Sequence, residues 1–96
     1  MLVLITYDVE TINRAGAKRL RLVAKECQNY GVRVQNSVFE CVLDYSQMIF
    51  LKNRLEFIVD KEHDSIRLYY LGNNWDNKVE KIGIERGVDV TSDLIV

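Results

Sequence analysis

The chain has 96 residues, 13 Lys and Arg against 14 Asp and Glu, a net charge of −1 and 48% hydrophobic content, which suits one small folded domain. A chain of this size buries only somewhat over ~60% of its unfolded surface, a deficit that an obligate dimer relieves. No stretch reaches the ~18 apolar residues of a membrane span, and the apolar start lacks a basic leader and a small-residue cleavage site, so a cytoplasmic protein with no membrane partner is expected.

Leu2 to Val9 is dense in aliphatic and β-branched residues and predicts a buried strand. Leu2, Leu4, Thr6 and Asp8 share one of its faces; Val3, Ile5, Tyr7 and Val9 share the other. A carboxylate at the end of such a strand is costly to desolvate unless a metal ion, a basic group or the positive end of a helix compensates it. A polar loop, Glu10 to Ala15, precedes a predicted helix from Gly16 to Tyr30. Leu20, Val23, Ala24 and Cys27 form its apolar stripe, with Lys18, Arg21 and Lys25 opposite and Gly31 as the expected terminator.

Val32 to Leu43 reads as strand with a break at Asn36-Ser37, where a tight hairpin or a bulge fits. Asp44 and Ser46 are N-cap candidates for a second helix, Gln47 to Glu62, whose core stripe is Met48, Leu51, Leu55 and Ile58. Phe50 and Phe57 recur on its other side as partly exposed rings. Asp64-Ser65 restarts an extended segment, Ile66 to Leu71, and Gly72-Asn73-Asn74 signals a turn. Val79 to Ile84 and Leu94-Ile95-Val96 are weaker strand patterns.

The order strand, helix, two strands, helix, strand spells βαββαβ, an α+β ferredoxin-like sandwich. Helices then cover one face of the sheet. The first strand is apolar on both faces, so the other face also needs cover, most simply from a second copy related by two-fold symmetry. No Pro, repeat or low-complexity linker divides residues 1–96. Cys27 and Cys41 lack metal-ligand spacing and read as reduced core residues. His63, among Lys61, Glu62 and Asp64, reads as a surface residue. Residues 14 to 33 carry Arg14, Lys18, Arg19, Arg21, Lys25 and Arg33 against one acid, Glu26. A solvated helix face is the plain reading of that excess; a track for a phosphate backbone is the sharper one.

Tyr7-Asp8, Arg19-Leu20-Arg21 and the run Arg33 to Glu40, supported by Ser65 to Asn74, together resemble the small CRISPR-associated endonuclease family, Cas-two, one of the two universal CRISPR adaptation proteins. The likeness spans nearly the whole chain and is densest over residues 3 to 41. It implies a ferredoxin-like homodimer in which the C-terminal strand of one protomer joins the sheet of the other. The core would then be about residues 1–78, with 79–96 as the exchanging segment. The family's metal-binding aspartate falls on Asp8, contributed by both protomers, with Tyr7 as its catalytic neighbour. The arginines implicated in nucleic-acid contact fall on Arg19, Arg21 and Arg33, and Ser37 and Phe39 match the second motif.

The implied activity is a Mg²⁺-dependent endonuclease, with Mn²⁺ as a substitute ion, cleaving RNA or DNA in spacer acquisition beside the adaptation integrase. One aspartate per chain is a poor Mg²⁺ site, whereas two Asp8 side chains meeting across a two-fold axis make a serviceable one. Two competing readings stand beside it. One is a catalytically dispensable dimeric scaffold that binds duplex DNA and bridges integrase dimers. The other, a ferredoxin-like module for a small ligand, lacks a glycine-rich ligand loop and leaves the basic segment unexplained. In plainer structural terms, Asp8 caps a loop, Tyr7 and Phe39 are core, and Arg33 pairs with a neighbouring acid.

Overall fold

The structure is a computed structural model that describes residues 1–8, 13–71 and 79–84. Strand β1 (Leu2–Asp8) alternates as its sequence does, with Val3, Ile5 and Tyr7 buried and Leu2 and Asp8 exposed. It is followed by α1 (Arg14–Gln28), β2 (Gly31–Gln35), β3 (Val38–Val42), α2 (Tyr45–Ile58), β4 (Ser65–Leu71) and β5 (Val79–Gly83). The sheet runs β2-β3-β1-β4-β5, and every neighbouring pair is antiparallel. The first six elements are the split βαββαβ unit expected from the sequence, and β5 extends the sheet beside β4 of its own chain.

Local chemistry moves several boundaries. Helix α1 starts at Arg14, not Gly16, because the Asn13 side chain accepts the Gly16 N–H at 2.8 Å and caps the first turn. Gly31 does not terminate it: Asn29 is the C-cap, in the right-handed region, and Gly31 opens β2. The glycine is needed there for space, since a Cβ would sit 1.9 Å from the Glu40 carbonyl oxygen. Helix α2 starts at Tyr45 because Asp44 and Gln47 cap each other, with bonds of 2.8 and 2.9 Å. It ends at Ile58, before the expected Glu62, and Val59 leaves it in extended conformation. At Asn36-Ser37 both expected features occur: a turn joins β2 to β3, and the register slips between Arg33 and Gln35.

Both helices lie on one side of the sheet. Their buried residues, among them Val23, Ala24, Cys27, Leu51 and Leu55, pack on Val3, Ile5, Tyr7, Phe39, Ile66 and Leu68 in one core. Cys27 and Cys41 are buried free thiols within it. The other face of the sheet has no helix on it among the described residues. There Leu2, paired in register with Val42 and Leu71, forms an apolar corner whose three side chains are 39%, 69% and 40% exposed. Val9, the Gly72-Asn73-Asn74 turn and the Leu94 to Val96 strand lie outside the described residues.

Candidate functional site

The parity of β1 places Asp8 on the face that the helices leave uncovered. Asp8 pairs with Ser65 across to β4, Thr6 pairs with Arg67, and Leu4 with Tyr69. In an antiparallel pair these partners point to the same side, so the ends of two strands bring their polar side chains together. The result is a depression of about 200 Å³ lined by Thr6, Asp8, Ser65, Arg67 and Tyr69. Within it, Arg67 Nη1 approaches the Tyr69 hydroxyl at 3.5 Å. The donor set is one carboxylate, three hydroxyls and a guanidinium. Hard oxygen ligands suit Mg²⁺ or Mn²⁺, and the guanidinium suits a phosphate oxygen.

One residue earlier, Tyr7 points the other way. Its ring is buried and its hydroxyl donates to Asp64 Oδ2 at 2.8 Å. Asp64 is fully buried, and it also accepts from Arg19 Nε at 2.7 Å, Arg19 Nη2 at 3.2 Å and the Asp60 N–H at 3.0 Å. Burial alone would push the Asp64 carboxyl up. The Arg19 guanidinium, the Asp60 amide and the Tyr7 hydroxyl outweigh it and hold the group below the usual carboxylate range. Burial, and then the negative charge it donates to, push the Tyr7 phenol well above its ordinary value. Tyr7 is therefore a neutral donor beneath the sheet, separated from the Asp8 face by the strand itself.

The other expected site residues fall in three settings. Arg21, with Lys18 and Lys25, is exposed on the outward side of α1. Arg33 is exposed at β2, where its guanidinium lies 5.6 Å from the Phe39 ring centre and its Nε donates to the Asn36 carbonyl at 2.8 Å. Phe39 is fully buried, and the Ser37 carbonyl accepts the Tyr7 N–H at 2.8 Å. Ser37, Phe39, Tyr7 and Arg19 thus surround or underlie the end of β1; Asp8 alone of the expected residues lines the depression.

Sequence reasoning missed Asp64, Arg67 and Tyr69. Asp64 carries the signal used for Asp8, a carboxylate abutting an apolar strand. Arg67 and Tyr69 follow from strand parity once β4 is aligned to β1. A separate surface group, Asp60, Glu62 and His63, brings its potential ligand atoms within 4.8 Å of one another. There Asp60 already accepts the Glu62 N–H at 2.9 Å and contacts His63 Nδ1 at 3.0 Å, consistent with the surface position expected for His63.

Comparison with known proteins agrees with this architecture. The sequence profile described as CRISPR associated protein Cas2 matches residues 1–79. The chain is 58% identical over 95 residues to the CRISPR-associated endonuclease Cas2 of Halalkalibacterium halodurans, covering 99% of each protein. It is 54% identical over 96 residues to the CRISPR-associated endoribonuclease Cas2 of Nitratidesulfovibrio vulgaris, covering 100% of this chain and 94% of that protein. The crystal structure of Streptococcus pyogenes Cas2 at pH 6.5 superposes with a TM-score of 0.74 at 55% identity, covering 86% of this chain and 100% of that one. The chain belongs to the CRISPR-associated Cas2 family.

Proposed function

We propose that this protein is a metal-dependent endonuclease of CRISPR immunity, and that Asp8 is its metal-binding carboxylate. The observation that carries the reading is the exposure of Asp8 on the uncovered sheet face, at an oxygen- and arginine-lined depression. Relatives sharing half or more of the sequence are named endonuclease or endoribonuclease.

Asp8 would hold Mg²⁺, or Mn²⁺ in its place, and a bound divalent ion would acidify a water and offset phosphate charge. Thr6 and Ser65 offer further oxygens beside the carboxylate. Arg67 sets a guanidinium in the same depression, where it would orient a phosphodiester through charge-assisted bonds. One carboxylate per chain is sparse, so the working unit is a homodimer that contributes two Asp8 side chains. The apolar corner of Leu2, Val42 and Leu71 supports a sheet-to-sheet contact between protomers. The exchange of the C-terminal segment, residues 79–96, between protomers rests on the family resemblance; Val79–Gly83 pairs here with β4 of its own chain. The adaptation integrase is the protein partner in this reading, and RNA or duplex DNA the substrate.

A second reading has a specific observation in its favour. Lys18, Arg21 and Lys25 point outward from the helix layer, whereas Asp8 lies on the far side of the sheet. A nucleic acid following α1 does not require the metal site. The same dimer would then serve as a DNA-binding scaffold that bridges integrase dimers.

Metal-titrated cleavage of labelled RNA and duplex DNA, run beside a spacer-integration assay, tests both. Asp8→Asn keeps the side-chain size and removes the charge. At this exposed position it should change stability by no more than about 0.5 kcal/mol. Cleavage should collapse while the dimer persists. Undiminished cleavage, with contaminating nuclease excluded, removes Asp8 from the reaction. Retained integration favours the scaffold; lost integration by a folded dimer assigns the metal site to adaptation itself.

A further inference from the structure

We infer that Asp64 and Arg19 are positioning residues for the Asp8 site: Arg19 acts through Asp64 on the end of β1, not through a nucleic-acid phosphate. The inference rests on the reading of Asp8 as metal ligand, but its binding arm stands without it.

A carboxylate has about four lone-pair sites. Asp64 accepts four bonds, three on Oδ2 from Arg19 Nε, the Tyr7 hydroxyl and the Asp60 amide and one on Oδ1 from Arg19 Nη2. The Asp64 carbonyl also accepts the Ile84 N–H at 2.9 Å, so the same residue joins the end of β5. The buried carboxylate therefore ties α1, the end of β1 and the α2–β4 connection, and the backbone of the same residue adds the end of β5.

Its place in the register matters most. Tyr7 directly precedes Asp8, and Asp64 directly precedes Ser65, the register partner of Asp8. Successive strand residues point to opposite faces. The Tyr7–Asp64 bond below the sheet and the Asp8–Ser65 pair above it therefore share the same two stretches of backbone. Loosening the bond below lets the two strand ends shift, and Asp8 shifts with them. A misplacement of about 1 Å can cost on the order of 10²-fold in rate.

Arg19 is poorly placed for a phosphate. Its side chain is 17% exposed, and its Nε and Nη2 are directed at a fully buried acid. A phosphate would have to compete with that bidentate pair, and the cost of leaving Asp64 buried and uncompensated would oppose it. Lys18, Arg21 and Lys25 on the outward side of the same helix are exposed.

The test pairs Arg19→Gln with Asp64→Asn in one double variant, which removes one charge of each sign and keeps both groups capable of hydrogen bonding. Binding of duplex DNA is measured against salt without divalent metal, and kcat and KM for cleavage are measured with it. We expect a salt slope equal to wild type, a kcat lowered 10- to 100-fold and an unchanged KM, in a folded dimer. Arg21→Gln is the control that should flatten the slope by about one. A double variant that flattens it likewise makes Arg19 a phosphate ligand and overturns the inference. A folded double variant with wild-type kcat makes the network structural only, which also overturns it. If the double variant does not fold, Arg19→Lys decides. It keeps the charge a phosphate contact needs but loses the planar fork. A lowered kcat at unchanged slope and KM supports the inference, and a wild-type kcat overturns it. If wild type itself cleaves nothing, the reading of Asp8 falls, and the salt slope alone still decides Arg19.

Discussion

Phe39 offers a sharp separation between a nucleic-acid contact and a core residue. The family resemblance sets it among the nucleic-acid residues, but its side chain is 0% exposed. It pairs with Ile5 on β1 and Arg33 on β2, and Arg33 covers the ring at 5.6 Å. Phe39→Ala removes a buried ring from a packed sheet face, at a cost of about 3–5 kcal/mol. Loss of the Arg33 stacking contributes about 0.5–1 kcal/mol of comparable origin and favours the upper part of that range. A domain of this length is stable by about 5–14 kcal/mol, so a loss of about 4 kcal/mol raises the unfolded-to-folded ratio about 10³-fold. Phe39→Leu keeps most of the volume and should cost about 1.5 kcal/mol or less. Urea unfolding at fixed protein concentration reports the stabilities, because an obligate dimer's stability depends on concentration. Filter binding of labelled nucleic acid then reports affinity well below both transitions. Phe39→Leu should bind like wild type, and Phe39→Ala should lose binding only as its folded fraction falls. A Phe39→Leu protein with near-native unfolding and tenfold weaker binding would refute the reasoning.

Two further outcomes rest on single contacts. Gly31→Ala places a Cβ 1.9 Å from the Glu40 carbonyl oxygen and 2.6 Å from the Cys41 Cα, so β2 must separate from β3. We expect destabilisation of about 3 kcal/mol or more, the upper end for overpacking, read as a shifted urea midpoint; a midpoint within error of wild type would contradict the close approach. The Asp64 carboxyl is held below its ordinary pKa: burial raises it, but Arg19, the Asp60 amide and Tyr7 lower it further. A depressed folded value means that this stability is present above the unfolded carboxylate pKa of about 3.9 and disappears as pH falls through the folded value. Asp64→Asn should therefore be less stable than wild type at neutral pH, with the gap narrowing as pH drops below about 4. A gap that stays constant down to pH values near 2 would show that the carboxylate is not the source.

The parity of β1 was the most informative part of the sequence, and it carried both a correct inference and its limit. Alternation along the strand sets Val3, Ile5 and Tyr7 on the face opposite Asp8, and the structure buries those three under the helices and leaves Asp8 exposed. The same alternation already separated Tyr7 from Asp8, although a motif that reads Tyr-Asp invites a joint catalytic role. Adjacent letters in a strand are on opposite sides of a sheet. The phenol therefore serves the buried carboxylate below, while its neighbour meets solvent above. Asp64 was harder to see for a different reason. A carboxylate abutting an apolar strand demands compensation, and that demand was legible at Asp64-Ser65-Ile66. The compensating groups were not, because Arg19 and Tyr7 lie 45 and 57 positions away in the chain. Only the βαββαβ topology brings them together, by setting Arg19 of α1 and Tyr7 of β1 against the residue that precedes β4. Gly31 shows the same limit on a smaller scale. Its place after a helical pattern suggests a left-handed cap, whereas the cause is the backbone of β3, ten residues on in Cys41 and unseen until the hairpin closes. A motif match names residues along the chain. The face of the sheet on which each lies decides whether it is exposed beside Asp8 or buried beside Asp64.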